Sequence, residues 1–277
     1  MQQAIDYEAE YNNRARVPEH PAIFVRWQER AAAFRAEHAH AEIGLAYGLS
    51  PRQTIDLFWP DASGKAPIVL FIHGGYWQSL DPSWFSHLAA GVNANGVALA
   101  LAGYDLCPNV PLRTIVNQME QASLFLWRRH RRRLVASGHS AGGHLTACLL
   151  SSDWKSIDAD APADLVPAGL SLSGLFDLVP LIKTGINNAL RLDEAEARAL
   201  SPVRSQPRGT LDAWVGGEES GEFLRQSRAI ADHWNANGAA ARYREIAGAN
   251  HFTVLDPFTD PSSELSQRLA AMTLAVR

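Results

Sequence analysis

The segment Gly138-His139-Ser140-Ala141-Gly142 follows the apolar run Leu134-Val135-Ala136-Ser137 and opens a stretch of helical composition from His144 to Leu150. A nucleophile on a sharp strand-to-helix turn needs neighbours without side chains two residues before and two after it, because those positions crowd one another. Gly138 and Gly142 meet that need, and the helix beginning there aims free N–H groups and its positive dipole end at Ser140. Serine attacks a carbonyl only when a base removes its proton, so a histidine must lie within hydrogen-bond reach. Of the ten histidines, His38, His40, His130 and His233 read as surface residues, and His139 and His144 flank the serine on the wrong sides to face it. His251, in Gly248-Ala249-Asn250-His251-Phe252, sits in a loop between the last strand pattern and the final helix, where a side chain reaches the end of a sheet without distorting it. It is the expected general base.

The acid that orients the base is expected between serine and histidine in the chain. The nearby carboxylates are Asp177, Asp212, Glu218, Glu219, Glu222 and Asp256. Asp212 lies inside a strand run and Asp256 follows the histidine, whereas Glu218 and Glu219 lie in the loop after that run. Position alone does not separate the two. A third element of such chemistry is a pair of donors for the oxyanion. The N–H of Ala141, next to the serine, is one. The second is expected from His73-Gly74-Gly75-Tyr76-Trp77, where Gly74 and Gly75, lacking β-carbons, would let a substrate oxygen approach the main chain.

These residues require a scaffold that brings distant loops to one edge. Strand-like runs at 55–59, 68–73, 97–101, 134–137, 170–173, 211–215 and 243–246 alternate with helical stretches near 84–93, 111–131, 142–152, 222–237 and 262–275. This alternation predicts an α/β fold with a mainly parallel central sheet covered by helices on both faces. Residues 1–50, polar, alanine-rich and helical in spacing, are read as an arm packed on the domain formed by 51–277. The stretch 179–200 breaks the alternation and is read either as a small insertion contributing to a pocket lid or as an ordinary crossover helix.

Composition excludes several classes. The chain of 277 residues carries a net charge of only -4, so no whole-protein field favours nucleic acid or an anionic membrane. The basic block Arg128 to Arg133 falls at the end of a helical pattern and reads as a solvated helix terminus. Two cysteines, Cys107 and Cys148, have no metal-ligand spacing and are expected to be buried thiols. With neither a leader-like N-terminus nor a bilayer-length apolar run, the expectation is a cytoplasmic protein acting on a small molecule, with no metal or organic cofactor. A homodimer is left open.

The combination His73-Gly74-Gly75-Tyr76-Trp77, Gly103-Tyr104-Asp105-Leu106-Cys107-Pro108, Gly138-His139-Ser140-Ala141-Gly142-Gly143-His144 and Val215 to Phe223 resembles the α/β-hydrolase-type kynurenine formamidases (arylformamidases) and their bacterial esterase-like relatives. The likeness includes Tyr11-Asn12-Asn13-Arg14 and Tyr47-Gly48. It implies an α/β-hydrolase fold and a serine hydrolase that removes a small acyl group from an arylamide, N-formylkynurenine above all, with Tyr76 and Trp77 against the arylamine. It also implies that Glu219 is the triad acid, at a position where the family carries aspartate. Glu218 is the reserve. The competing expectations are a carboxylesterase of short acyl esters and a catalytically silent hydrolase fold used for binding.

Overall fold

The computed structural model describes residues 5–276. Its centre is an eight-stranded sheet: β1 (Ala41–Ala46), β2 (Thr54–Phe58), β3 (Ile68–Ile72), β4 (Ala98–Ala102), β5 (Leu134–His139), β6 (Ala168–Leu172), β7 (Thr210–Gly216) and β8 (Ala241–Ile246). The spatial order is β1-β2-β4-β3-β5-β6-β7-β8. The β1–β2 and β2–β4 pairs are antiparallel, and all the others are parallel.

The central strands are continuous apolar runs because both faces are covered. β3 sends Ile68, Leu70 and Ile72 to one face and Val69 and Phe71 to the other. β4 alternates Ala98, Ala100 and Ala102 with Leu99 and Leu101, so one face is lined by small residues against which helices approach closely. That face is covered by α5 (Leu112–His130), α6 (Ala141–Leu149) and α10 (Gly221–Ala236). The other carries α3 (His20–Glu37), the 3₁₀ segment Pro82–Leu88, α4 (Ala89–Ala94) and α11 (Glu264–Ala275). Short helices α1 (Tyr7–Tyr11) and α2 (Asn13–Arg16) precede α3. Helices α7 (Trp154–Ile157), α8 (Asn187–Leu190) and α9 (Glu194–Ala199) lie in crossovers.

Two expectations are adjusted. The first 50 residues are helical only as far as Glu37, and Ala41–Ala46 is an edge strand of the sheet itself. Arg35 on α3 pairs with the buried Asp56 of β2, whose other oxygen accepts from the N–H of Gly44, tying helix, edge strand and sheet together. The stretch 179–200 forms a 3₁₀ turn, α8 and α9. The basic block closes α5, and three of its arginines are paired from outside, Arg128 by Asp158, Arg129 by Glu42 and Arg133 by Asp164. Cys107 is buried, with its thiol pushed up to about 11 by burial, and Cys148 is partly buried.

Because β3, β5, β6, β7 and β8 are parallel and nearly flush, with Ile72 beside Gly138, His139 beside Leu172 and Gly216 beside Ile246, their carboxyl ends deliver their loops to one edge. A ligand site in such a sheet belongs beyond that edge.

Candidate active site

Ser140 stands between β5 and α6 with φ 57° and ψ −117°, a conformation that costs a non-glycine residue on the order of 1–3 kcal/mol. Its N–H is held by the carbonyl of Leu172 at 2.8 Å. A β-carbon on Gly138 would sit 2.2 Å from the carbonyl oxygen of Gly142, and one on Gly142 would sit 1.9 Å from that of Ile72. No side chain fits at either position, so the glycines allow the turn that lifts Ser140 out of the sheet.

His251 and Glu219 arrive from the loops after β8 and β7. The imidazole Nδ1–H donates to Glu219 Oε2 at 2.6 Å, which leaves Nε2 to accept from the Ser140 hydroxyl at 3.0 Å. Glu219 Oε1 accepts from the Gly216 N–H at 2.7 Å and from the Ser173 hydroxyl. The three groups are buried, and Phe223 packs its ring 4.6 Å from the imidazole centroid. Glu218 is exposed and makes no hydrogen bond or ion pair with the imidazole. Asp212 forms a two-bond pair with Arg268. Glu222 is taken by Arg225 and Tyr11.

Two residues that sequence reasoning passed over belong to this centre. Ser173, itself at φ 54°, fixes the carboxylate from the turn after β6. His139, which adjoins the serine in the chain, donates Nε2–H to the backbone carbonyl of His251 at 2.7 Å and so ties the loop of His251 to the turn of Ser140. Burial, and then the neighbouring His251, hold the His139 pKa well below the ordinary histidine value. Its Nδ1 is buried and, among the described residues, has no partner.

The loop after β3 is shaped by His73, which stacks 4.3 Å from the Tyr104 ring and donates Nδ1–H to the carbonyl of Gly74 at 2.8 Å. The glycines also serve packing within the chain. A β-carbon on Gly74 would lie 2.9 Å from the carbonyl oxygen of His139 and 3.1 Å from Ser140 Cβ. On Gly75, at φ 106°, it would lie 2.4 Å from the carbonyl oxygen of Ser79. Their absence seats the loop against the serine turn. Among the described residues, the N–H groups of Gly74, Gly75 and Ala141 find no acceptor in the chain.

The expectation for Trp77 is corrected. Tyr76 and Trp77 both adopt positive φ, 50° and 57°, and the resulting turn carries Trp77 into the core, fully buried with its ring edge-on to His144 at 5.0 Å. Tyr76 lines the cavity, but its hydroxyl is committed to the carbonyl of Tyr11 at 2.6 Å.

The cavity above Ser140 has a volume of about 420 Å³, within the range of small-molecule sites. Its floor is His139, Ser140, His251 and Gly75, and apolar walls come from Phe24, Trp27, Leu80, Ile186 and Phe252. The N-terminal arm supplies one side, through Glu8, Tyr11, Asn12, Asn13 and Arg14. It is docked by Tyr11, whose buried hydroxyl donates to Glu222 at 2.7 Å and accepts from Gln226 at 2.6 Å. Gly185 and Ile186 of the stretch between β6 and β7 join the wall. They are held by Glu8, which accepts from the Gly185 N–H at 2.7 Å, and by Gln78, which donates to the Ile186 carbonyl at 2.9 Å.

A mainly parallel sheet with a serine on its central strand-to-helix turn, a histidine after the last strand and a carboxylate between them defines a class, and a family profile described as alpha/beta hydrolase fold matches residues 69–255. The chain belongs to the α/β-hydrolase family and is a hydrolase of that fold. Among individual proteins it is similar to the kynurenine formamidase of Danio rerio, 26% identical over 273 residues that span 89% of this chain and 92% of the relative. The kynurenine formamidase of Drosophila melanogaster is 29% identical over 241 residues, 81% of this chain and 79% of that protein. A crystal structure of a candidate thioesterase from Silicibacter sp. superposes with a TM-score of 0.87 at 33% identity, covering 98% of this chain and 100% of the other. No helix among the described residues is long and apolar enough to cross a membrane.

Proposed function

We propose that the protein is a serine hydrolase that removes a small acyl group from an arylamide, and that its substrate is N-formylkynurenine, cleaved to kynurenine and formate. The observation that carries the mechanism is the hydrogen-bonded line from the Ser140 hydroxyl through His251 to Glu219. His251 Nε2 takes the hydroxyl proton as Ser140 Oγ attacks the formyl carbon. The oxyanion falls toward the unpartnered N–H groups of Ala141, Gly74 and Gly75, where each donor is worth about 10²–10³ in rate. The imidazolium, held in place by Glu219, returns the proton to the departing arylamine. A water activated by the same nitrogen then releases formate from the serine ester. No step calls for a metal or an organic cofactor.

The choice of substrate is supported by the likeness to kynurenine formamidases over most of the chain, and by apolar and aromatic walls that suit an aryl leaving group beside Ser140. A carboxylesterase would use the same centre, and esterases are among its fold neighbours. A binding protein with a silent hydrolase fold is disfavoured by the assembled serine, histidine and carboxylate. The test is incubation with N-formyl-L-kynurenine, following kynurenine and formate together. Equimolar release of both is expected, and release of neither refutes the substrate assignment. Labelling by a fluorophosphonate at Ser140, read by peptide mass, is expected on the serine mechanism, and labelling elsewhere or not at all refutes it.

A further inference from the structure

The loop that carries the Gly74 and Gly75 N–H groups is tied to the N-terminal arm at its next residue. Tyr76 follows Gly75 at φ 50°, a conformation that a tyrosine keeps only where its surroundings over-determine it. Its hydroxyl donates to the carbonyl of Tyr11 at 2.6 Å and accepts from Nδ2 of the buried Asn13 at 3.2 Å. The arm is anchored in turn on the acid side of the site. The Tyr11 hydroxyl lies between Glu222 and Gln226 of α10, and Glu10 Oε2 accepts from the Glu222 N–H at 2.8 Å. Helix α10 starts at Gly221, two residues after Glu219. Gln226 also reaches the loop after β6, where Oε1 accepts from the Asp177 N–H at 2.8 Å and Nε2 donates to the Asp177 carbonyl at 3.0 Å. Tyr11 therefore links the loop after β3, by its main chain, to the loops after β6 and β7, by its side chain.

We infer that Tyr76 is a positioning residue for the oxyanion donors and that the N-terminal arm is the frame to which it is fastened. Docked against α10, the arm holds the loop after β3 where Gly74 and Gly75 meet the developing oxyanion. This rests on the serine hydrolase reading above and adds to it residues that touch no reacting atom. Oxyanion donors act by being fixed before the charge develops, so a loosened loop costs rate and leaves substrate binding intact. The turn itself keeps other ties, from the Gln78 N–H to the Gly75 carbonyl at 3.0 Å and from the Cys107 N–H to the Trp77 carbonyl at 2.8 Å, and it folds without the phenol oxygen.

The test is Tyr76→Phe, which removes that oxygen and keeps the ring, assayed with p-nitrophenyl acetate and by the rate at which diethyl p-nitrophenyl phosphate modifies Ser140. Acylation and deacylation both pass through an oxyanion, so kcat is expected to fall about tenfold with KM changed less than about twofold, and the modification rate to fall by a similar factor. Tyr11→Phe, which loosens the arm at its other end, is expected to lower kcat in the same way, and the double variant to lose less than the product of the two. Where Tyr11→Phe does not fold, the Tyr76→Phe result decides. An unchanged kcat in Tyr76→Phe, with or without a lower urea midpoint, overturns the inference. So does a loss confined to KM, which marks a substrate contact, and so do losses that multiply in the double variant. If the phosphate ester does not modify Ser140 of the wild type, the serine reading fails and the inference falls with it. Modification at equal rates in wild type and Tyr76→Phe overturns the inference alone.

Discussion

The carboxylate of Glu219 receives three donors, and they divide its work: Gly216 and Ser173 fix one oxygen, and the other faces His251. The longer glutamate side chain reaches the imidazole because β6 and β7 present these two anchors behind it. Glu219→Ala is expected to lower kcat about 10³-fold or more, and Glu218→Ala to have little effect, since Glu218 is exposed and makes no hydrogen bond or ion pair with the imidazole. Initial rates with any turned-over substrate check this, and equal losses in the two variants would contradict it. Ser140 and His251 were legible from the sequence because their chemistry demands a glycine-bracketed turn and a loop after the last strand. The contacts of His139 and Ser173 were not. His139 is adjacent to Ser140 in the chain, and only the turn at φ 57° sends its ring to the carbonyl of a residue 112 positions away. Trp77 misled for a similar reason, since two consecutive positive φ values turn it inward.

Among the elements, the strand-to-helix turn is the least tolerant. In Gly142→Ala the new β-carbon would meet the backbone oxygen of Ile72 at 1.9 Å, and backbone cannot yield as a side-chain tip does. The expected cost is about 3 kcal/mol or more in urea unfolding, together with loss of turnover as Ser140 is displaced. A variant of wild-type stability and rate would contradict the account of the turn. Most elements were readable because continuous apolar runs alternate with helical periodicity. The edge strand β1 was missed. Its sequence Ala-Glu-Ile-Gly-Leu-Ala is largely exposed or half-exposed and kinked at Gly44, φ 71°, with a shift of register between Glu42 and Leu45, so no period-two pattern survives. The arm's part in the cavity was equally hidden, because it depends on Tyr11 meeting Glu222 across 211 residues.

For the molecule as a whole, burial makes several histidines into a pH liability. His73, His87 and His144 are each lowered to about 4 from 6.5, and His139 is also lowered, all chiefly by loss of solvent. Below about pH 6.5 the unfolded chain binds protons at these sites and the folded chain does not, so stability is present above that value and is lost as pH falls from 6.5 toward 4. Each such histidine contributes at most about 1.4 kcal/mol per pH unit. Urea midpoints at pH 7.5 and 5.5 check this. His144→Gln, which keeps a donor for the Leu200 carbonyl, should flatten the dependence by about one proton, and an unchanged slope would contradict the assignment. The most direct test of the proposed reaction is kcat/KM for N-formyl-L-kynurenine beside p-nitrophenyl acetate, in the wild type and in Ser140→Ala. The formamide is expected to be the better substrate, and the variant to lose about 10³-fold or more on both. Ester turnover without formamide turnover, or formamide turnover that survives Ser140→Ala, would contradict it.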